Sequence, residues 1–192
     1  MKSSEKSNLW IEEKLKIEEF YKNFFNRVID WSLVILPIKF DFFKKIEYIF
    51  SDINEDQILK AYAKKFGEEK ICKEWGSIKN IIKVQQLRPC KNYVFSHVGD
   101  IEADLLNKSY NDGILEGIKF MTPKEGFIAT FRERTETGKM YDNFGATKLS
   151  ALDSSGYALR MYRVINGDFG IDSSRCDKRN PSYGIRQIDF VF

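Results

Sequence analysis

From Asn8 to Ser32 the chain holds no glycine or proline, and apolar residues recur at Leu15, Ile17, Phe20, Tyr21, Phe24, Phe25, Val28, Ile29 and Trp31. Steps of three and four are the helical period, so the segment predicts one long helix with a broad aromatic stripe and a charged opposite face. A stripe this wide is expected to pack on the rest of the chain; a partner-binding or self-associating helix is the alternative. Pro37 ends that helix, and a second one is expected over about 40–50. Asn54 precedes Glu55-Asp56-Gln57, a cap with acids in the first turn. The helix it opens runs to Phe66 and stops at Gly67. Two shorter helices, 68–75 and 77–87, are expected on either side of Gly76, and Arg88-Pro89 closes this helical half.

Beyond Pro89 the pattern is mixed. Tyr93-Val94-Phe95 reads as a short strand, 100–110 as a helix with Ile101, Leu105 and Leu106 on one side, and Asn111-Asp112-Gly113 as a turn. Thr122-Pro123-Lys124-Glu125 is a capping box with proline at the first helical position, and its helix is expected to reach Thr137 and end at Gly138. Further on, Tyr157, Leu159, Met161 and Ile165 share one face of an alternating strand. Asn166-Gly167 is the residue pair of a two-residue type I′ hairpin, and 168–174 is the return strand. A loop at 180–184 leads to a last strand, 185–192, with Ile188, Phe190 and Phe192 on one face. The expected class is α+β: a helical region over 1–88, then a mixed domain over 89–192 with an antiparallel sheet.

The order of elements after Tyr93 resembles the C-type-lectin-like fold, and within it the bacterial FISUMP-type domains. Phe120-Met121-Thr122-Pro123-Lys124-Glu125 is similar to the Leu-Pro-Thr-Lys-Glu-type start of their second helix. Gly156-Tyr157-Ala158-Leu159-Arg160-Met161-Tyr162, Asn166-Gly167 and Tyr183-Gly184-Ile185-Arg186 are similar to their closing motifs. The resemblance covers about 93–192. It implies a rigid scaffold that displays loops for recognition. The paired cysteines and the Glu-Pro-Asn or Trp-Asn-Asp motifs of calcium-dependent lectins have no counterpart here, so no calcium or sugar site is carried over.

Composition narrows the picture. The 192 residues are 43% hydrophobic and 15% aromatic, which excludes wholesale disorder. A net charge of +3 is too small to predict nucleic-acid binding by itself. The polar start carries no signal-peptide core, and the most apolar window, 31–43, is too short and too charged to span a bilayer. A cytoplasmic protein without membrane contact is expected. Cys72, Cys90 and Cys176 spell neither a disulfide framework nor a metal pair, and no cofactor or metal is expected. His97 is the lone histidine. A Cys90–His97 catalytic pair ranks below a structural histidine, and neither a Gly-x-Ser-x-Gly elbow nor a phosphate loop is present.

One cluster invites a recognition role. Arg175, Lys178 and Arg179 crowd the loop before the last strand, and Arg160 and Arg163 lie on a neighbouring strand. With Tyr162 and Tyr183 they supply the residue types enriched at interface hot spots. The expected binding residues are Arg160, Tyr162, Arg175, Arg179 and Tyr183; the competing expectation is surface ion pairing with Asp172 and Asp177. The leading functional expectation is a non-catalytic module that binds another protein through this hairpin and loop. A small inhibitor of a host or defence protein, of the kind phages encode, is the first alternative. An enzyme with a dispersed active site and a nucleic-acid binder are the others.

Overall fold

The computed structural model describes residues 3–34, 45–71, 83, 84, 86, 88, 91–99, 103–142 and 144–190. Helix α1, Ser3–Phe25, is the predicted amphipathic helix, but it ends before Ser32. Asn26 takes a positive φ of 52°, a conformation asparagine tolerates better than most residues, and the chain turns there. Trp31–Leu33 forms a separate 3₁₀ turn capped by Asp30. The stripe itself packs as expected on its own chain: Ile17, Phe20 and Tyr21 are buried. The ring of Phe131 lies 4.9 Å from Phe20 and 4.7 Å from Phe24, and that of Phe50 lies 4.9 Å from Tyr21.

The expected helix over 40–50 is not formed where the structure describes it. Lys45–Ile49 is strand β1, paired antiparallel with β3, Tyr93–His97. Ile46, Glu47, Tyr48 and Ile49 are all buried, so both faces of the strand are covered and no alternation marks it in the sequence. Residues 40–44 lie outside the described part. Helix α2, Glu55–Phe66, follows the sequence closely: Asn54 and Gln57 form a reciprocal capping box, and the chain turns out at Gly67. Only a 3₁₀ turn, Glu68–Lys70, is described within the expected helix 68–75. Of the expected helix 77–87, Lys83–Val84 is instead a short strand, β2, and most of the rest lies outside the described residues.

The expected helix over 100–110 is also replaced. Leu105–Leu106 is strand β4, and Asn107, at φ 57°, turns the chain into helix α3, Tyr110–Leu115. Ser109 caps that helix reciprocally with Asp112, so Asn111-Asp112-Gly113 is a first helical turn and not a loop. Gly113 is small because a Cβ there would collide with the Ile185 and Phe120 side chains. Helix α4, Pro123–Thr137, has the predicted capping box and left-handed Gly138 cap, and its residues from Pro123 to Phe131 are buried apart from Lys124.

The remaining strands are β5 Ala146–Leu152, β6 Ala158–Arg163, β7 Phe169–Ser174, β8 Tyr183–Ile185 and β9 Ile188–Phe190. One sheet runs β4-β8-β5-β6-β7, with β2 also on β5; the other runs β1-β3-β9. The larger sheet is mixed, because β5 and β8 are parallel. The expected single last strand over 185–192 is divided between the sheets: the chain crosses at Arg186-Gln187, and β9 pairs with β3. In the β6–β7 hairpin, Val164 and Gly167 close a turn and Gly167 takes φ 87°. This is a three-residue loop with a glycine bulge, not the two-residue type I′ turn. It throws Ile165 into solvent, so Leu159 and Met161, but neither Ile165 nor Tyr157, reach the core. The fold is α+β. Its main core joins α1, β1 and α2 to α4, β5, β6 and β7, so the boundary at 88 does not divide it.

Candidate functional site

Strand register lines up three charged residues across the larger sheet: Lys148 on β5, Arg160 on β6 and Asp172 on β7. The guanidinium of Arg160 donates from Nε and Nη2 to the two carboxylate oxygens of Asp172, the second at 2.6 Å. That fork fixes the plane of the guanidinium. Its face then lies 4.5 Å from the ring centroid of Tyr183 and 5.8 Å from that of Tyr162. Lys178 and Lys148 place their Nζ atoms 5.7 and 5.8 Å from the same Tyr183 ring. Tyr183 is therefore the centre of a cluster with three cations around one aromatic ring.

The five sequence-predicted residues separate into two groups. Arg160, Tyr162 and Tyr183 come together. Arg175 and Arg179 are exposed and engaged elsewhere: Arg175 with Asp177, Nη2 to Oδ2 at 2.8 Å, and Arg179 with Asp112, Nη2 to Oδ1 at 2.6 Å. Neither makes a described contact with Tyr183. The expected pairing with Asp172 and Asp177 is found for Arg160 and Arg175, whereas Arg179 pairs with Asp112 instead. The Arg179 fork and the Ser109 cap hold the Asp112 carboxyl well below the usual carboxylate range. Lys148 and the packing role of Lys178 escaped the sequence reading.

Exposed apolar side chains stand at the same end of the sheet. Register places Tyr183 beside Ala146 and Ala146 beside Tyr162, and Asn107 donates to the Tyr183 carbonyl. Leu106, at the end of β4, is 49% exposed, and the loops leaving that end carry Phe144, 89% exposed, and Ile165, fully exposed.

His97 lies in a different place, inside the core. It is fully buried, with Nε2 3.4 Å from Glu47 Oε1 and no described partner at Nδ1. Burial, then the Arg186, Lys45 and Arg132 cations, holds its pKa well below the ordinary value, so the ring is neutral. Arg132, also buried, donates from Nη1 to the Ile46 carbonyl at 2.6 Å and to Glu47 at 2.8 Å, and it contacts Glu13 and Glu136. Burial raises Glu47 to about 7 against the pull of Arg132 and Lys45. This network ties α1, α4 and β1 together. With His97, Glu47 and Arg132 all at or below 1% exposure, it meets no substrate in this conformation. Cys90, weighed above as a catalytic partner of His97 and ranked below a structural role for the histidine, lies outside the described residues.

Among the described residues, no group of three or more His, Cys, Asp or Glu is placed to hold a metal ion, and no helix is long and apolar enough to cross a membrane. Comparison of the chain with protein-family models, curated proteins and solved structures finds no match.

Proposed function

We propose that this chain is a non-catalytic recognition module that binds another protein through the Tyr183 end of its larger sheet. The observation that carries this reading is the Arg160–Tyr183 stack. A guanidinium already oriented by Asp172 loses little further freedom on binding, and tyrosine offers wide amphipathic contact at low entropy cost. Phe144, Ile165 and Leu106 around it supply apolar anchors, and Lys178 with Arg163 favours an acidic rim on the partner. The C-type-lectin-like reading belongs to the same proposal. It is supported by two capped helices after β3, the β5–β6–β7 antiparallel run and the return of β9 to β3. The module is proposed to act in the cytoplasm, where a free thiol such as Cys176 is stable.

Site-specific photo-crosslinking in the native cell tests this reading. A benzophenone side chain at Ile165 is expected to give one discrete protein adduct, and one at the exposed Lys60 on α2 none. The adduct should disappear in Arg160→Ala/Tyr183→Ala. An adduct at Lys60 equal to that at Ile165, or a nucleic-acid adduct at Ile165, overturns it.

A further inference from the structure

Lys148 is fully buried, yet among the described residues no carboxylate forms an ion pair with it. The carboxylates of the site are engaged: Asp172 by Arg160, Asp177 by Arg175 and Asp112 by Arg179. The ammonium has three donors, and its hydrogen-bond contact is the Ser174 hydroxyl at 3.5 Å, the long limit for such a bond. Two further cations, Arg160 and Lys178, share the Tyr183 ring with it. Burial first, then Arg160, lowers the Lys148 pKa; Cys176 opposes them, Lys178 lowers it further and Asp112 raises it. Buried lysines are almost always paired, because desolvating a lone ammonium is costly. A second buried group nearby is also unsatisfied: the Tyr110 hydroxyl, 3% exposed, has no described partner. Tyr110 belongs to the small apolar cluster against which Cys176 packs, and the Cys176 carbonyl accepts from the Asn111 N–H at the start of α3.

We propose that Lys148, with the Ser174 hydroxyl beside it, is the receptor for a single carboxylate group, and that Tyr183 is the gate over it. One uncompensated buried charge matches one monovalent anion; a phosphate dianion would leave a net negative charge in the same place. Tyr183 is half-buried and packs on Lys148 from the outer side of the pair, so its displacement opens the approach. Arg160 stays in place meanwhile because Asp172 holds it. The carboxylate comes from an acidic side chain of the partner, which rests on the recognition reading above.

The experiment compares the full chain with Lys148→Met, which keeps the stem and removes the charge. In sodium chloride, Lys148→Met is expected to melt at or above the wild-type temperature. Replacing the chloride with about 50 mM acetate should raise the wild-type melting temperature by ~2–4 °C and leave Lys148→Met unmoved. Equimolar phosphate should do no more than chloride. Hexaglutamate should bind the wild type about tenfold more tightly than the variant, whereas acetate binding without hexaglutamate binding overturns the partner as source. A second readout needs no variant. Acetate should slow biotinylation of Lys148 by an N-hydroxysuccinimide ester, mapped by peptide mass spectrometry, and leave Lys60 unaffected. Equal acetate shifts in both proteins, or unchanged labelling of Lys148, overturn the receptor. An Ile165 adduct that survives Lys148→Met also overturns it and spares the recognition reading. Absence of the Ile165 adduct in the wild type, with its acetate response intact, overturns the recognition reading and spares the receptor.

Discussion

Replacing Arg132 with methionine is expected to destabilise the protein in a pH-dependent way. The side chain is buried and holds Glu47 at 2.8 Å and the Ile46 carbonyl at 2.6 Å. Methionine keeps most of the volume, so the loss is electrostatic rather than a cavity. Breaking one side of a buried ion pair costs about 3–5 kcal/mol, because the remaining charge is left desolvated. Protonation of Glu47 offers an escape. Its folded pKa is about 7, raised from 4.5. At about pH 5.5 the folded wild type already carries a largely neutral Glu47, and removing Arg132 strands little charge. At about pH 8 the wild type ionises Glu47 against Arg132, while the variant must keep it protonated. One pH unit above the wild-type pKa is about 1.4 kcal/mol, so the penalty should be larger at pH 8 by up to that amount. Urea unfolding followed by tryptophan fluorescence at the two pH values measures it. A penalty below about 1 kcal/mol at both, or one that grows toward acid, refutes the assignment of Arg132 as the counter-ion of Glu47.

Glu125→Ala should cost about 3–5 kcal/mol in calorimetric or urea unfolding, because the carboxylate is fully buried and accepts from Arg88, from the Tyr93 hydroxyl at 2.7 Å and from the Thr122 N–H at 2.7 Å. His97→Gln should leave the Ile165 cross-link intact and change the acid limb of stability. Because the folded pKa of His97 is depressed, its contribution is present above about pH 6.5 and lost below it, at up to about 1.4 kcal/mol per pH unit. The variant should lack that loss, and identical acid limbs in urea titrations would show that the ring is not held neutral. Deleting residues 1–31 should aggregate the protein or lower its melting temperature sharply, since Ile17, Phe20 and Tyr21 are buried and each contributes about 1.5–3 kcal/mol; light scattering and calorimetry decide it. Arg175→Ala should leave the urea midpoint unchanged, as expected of an exposed, solvent-screened pair; a clear drop in the midpoint would mean that this pair organises the loop.

Local chemistry was legible in the sequence wherever a few adjacent residues settle the outcome. The Asn54 and Thr122 caps and the Gly67 and Gly138 ends needed no knowledge of the rest of the fold. Tertiary context decided the misread segments. Ala146–Leu152 reads as Ala-Thr-Lys-Leu-Ser-Ala-Leu, with little β-branched or aromatic character, yet it is the strand on which β2, β6 and β8 all pair. Lys45–Ile49 is buried on both faces, which erases the period of two. In the site, Arg160 and Tyr162 share a strand of the legible hairpin, whereas Tyr183 reaches them through β5, which pairs with both β6 and β8. The partner of Arg179 was not legible, since Asp112 is 67 residues away and lies in a helix read as a turn.

Among the buried cations of the described residues, Arg132 and Lys148 differ in what the fold sets against them; Arg186, the third, faces Asp142. At Arg132 the positive charge faces Glu47, Glu13 and Glu136, drawn from β1, α1 and α4. Each element brings an anion, so folding alone completes the network, and no ligand is called for. At Lys148 the neighbouring elements bring a hydroxyl, an aromatic ring and further cations. Folding by itself leaves that charge unanswered, although a methionine or leucine would fill the same space without the cost. In the proposal above, a carboxylate from outside the chain completes the site. The exposed Phe144 and Ile165 side chains stand at the same end of the sheet as Tyr183. A partner that covers them also lowers the local dielectric over Tyr183, which strengthens any carboxylate contact to Lys148. In the proposed complex, apolar anchoring and charge recognition at this end reinforce each other.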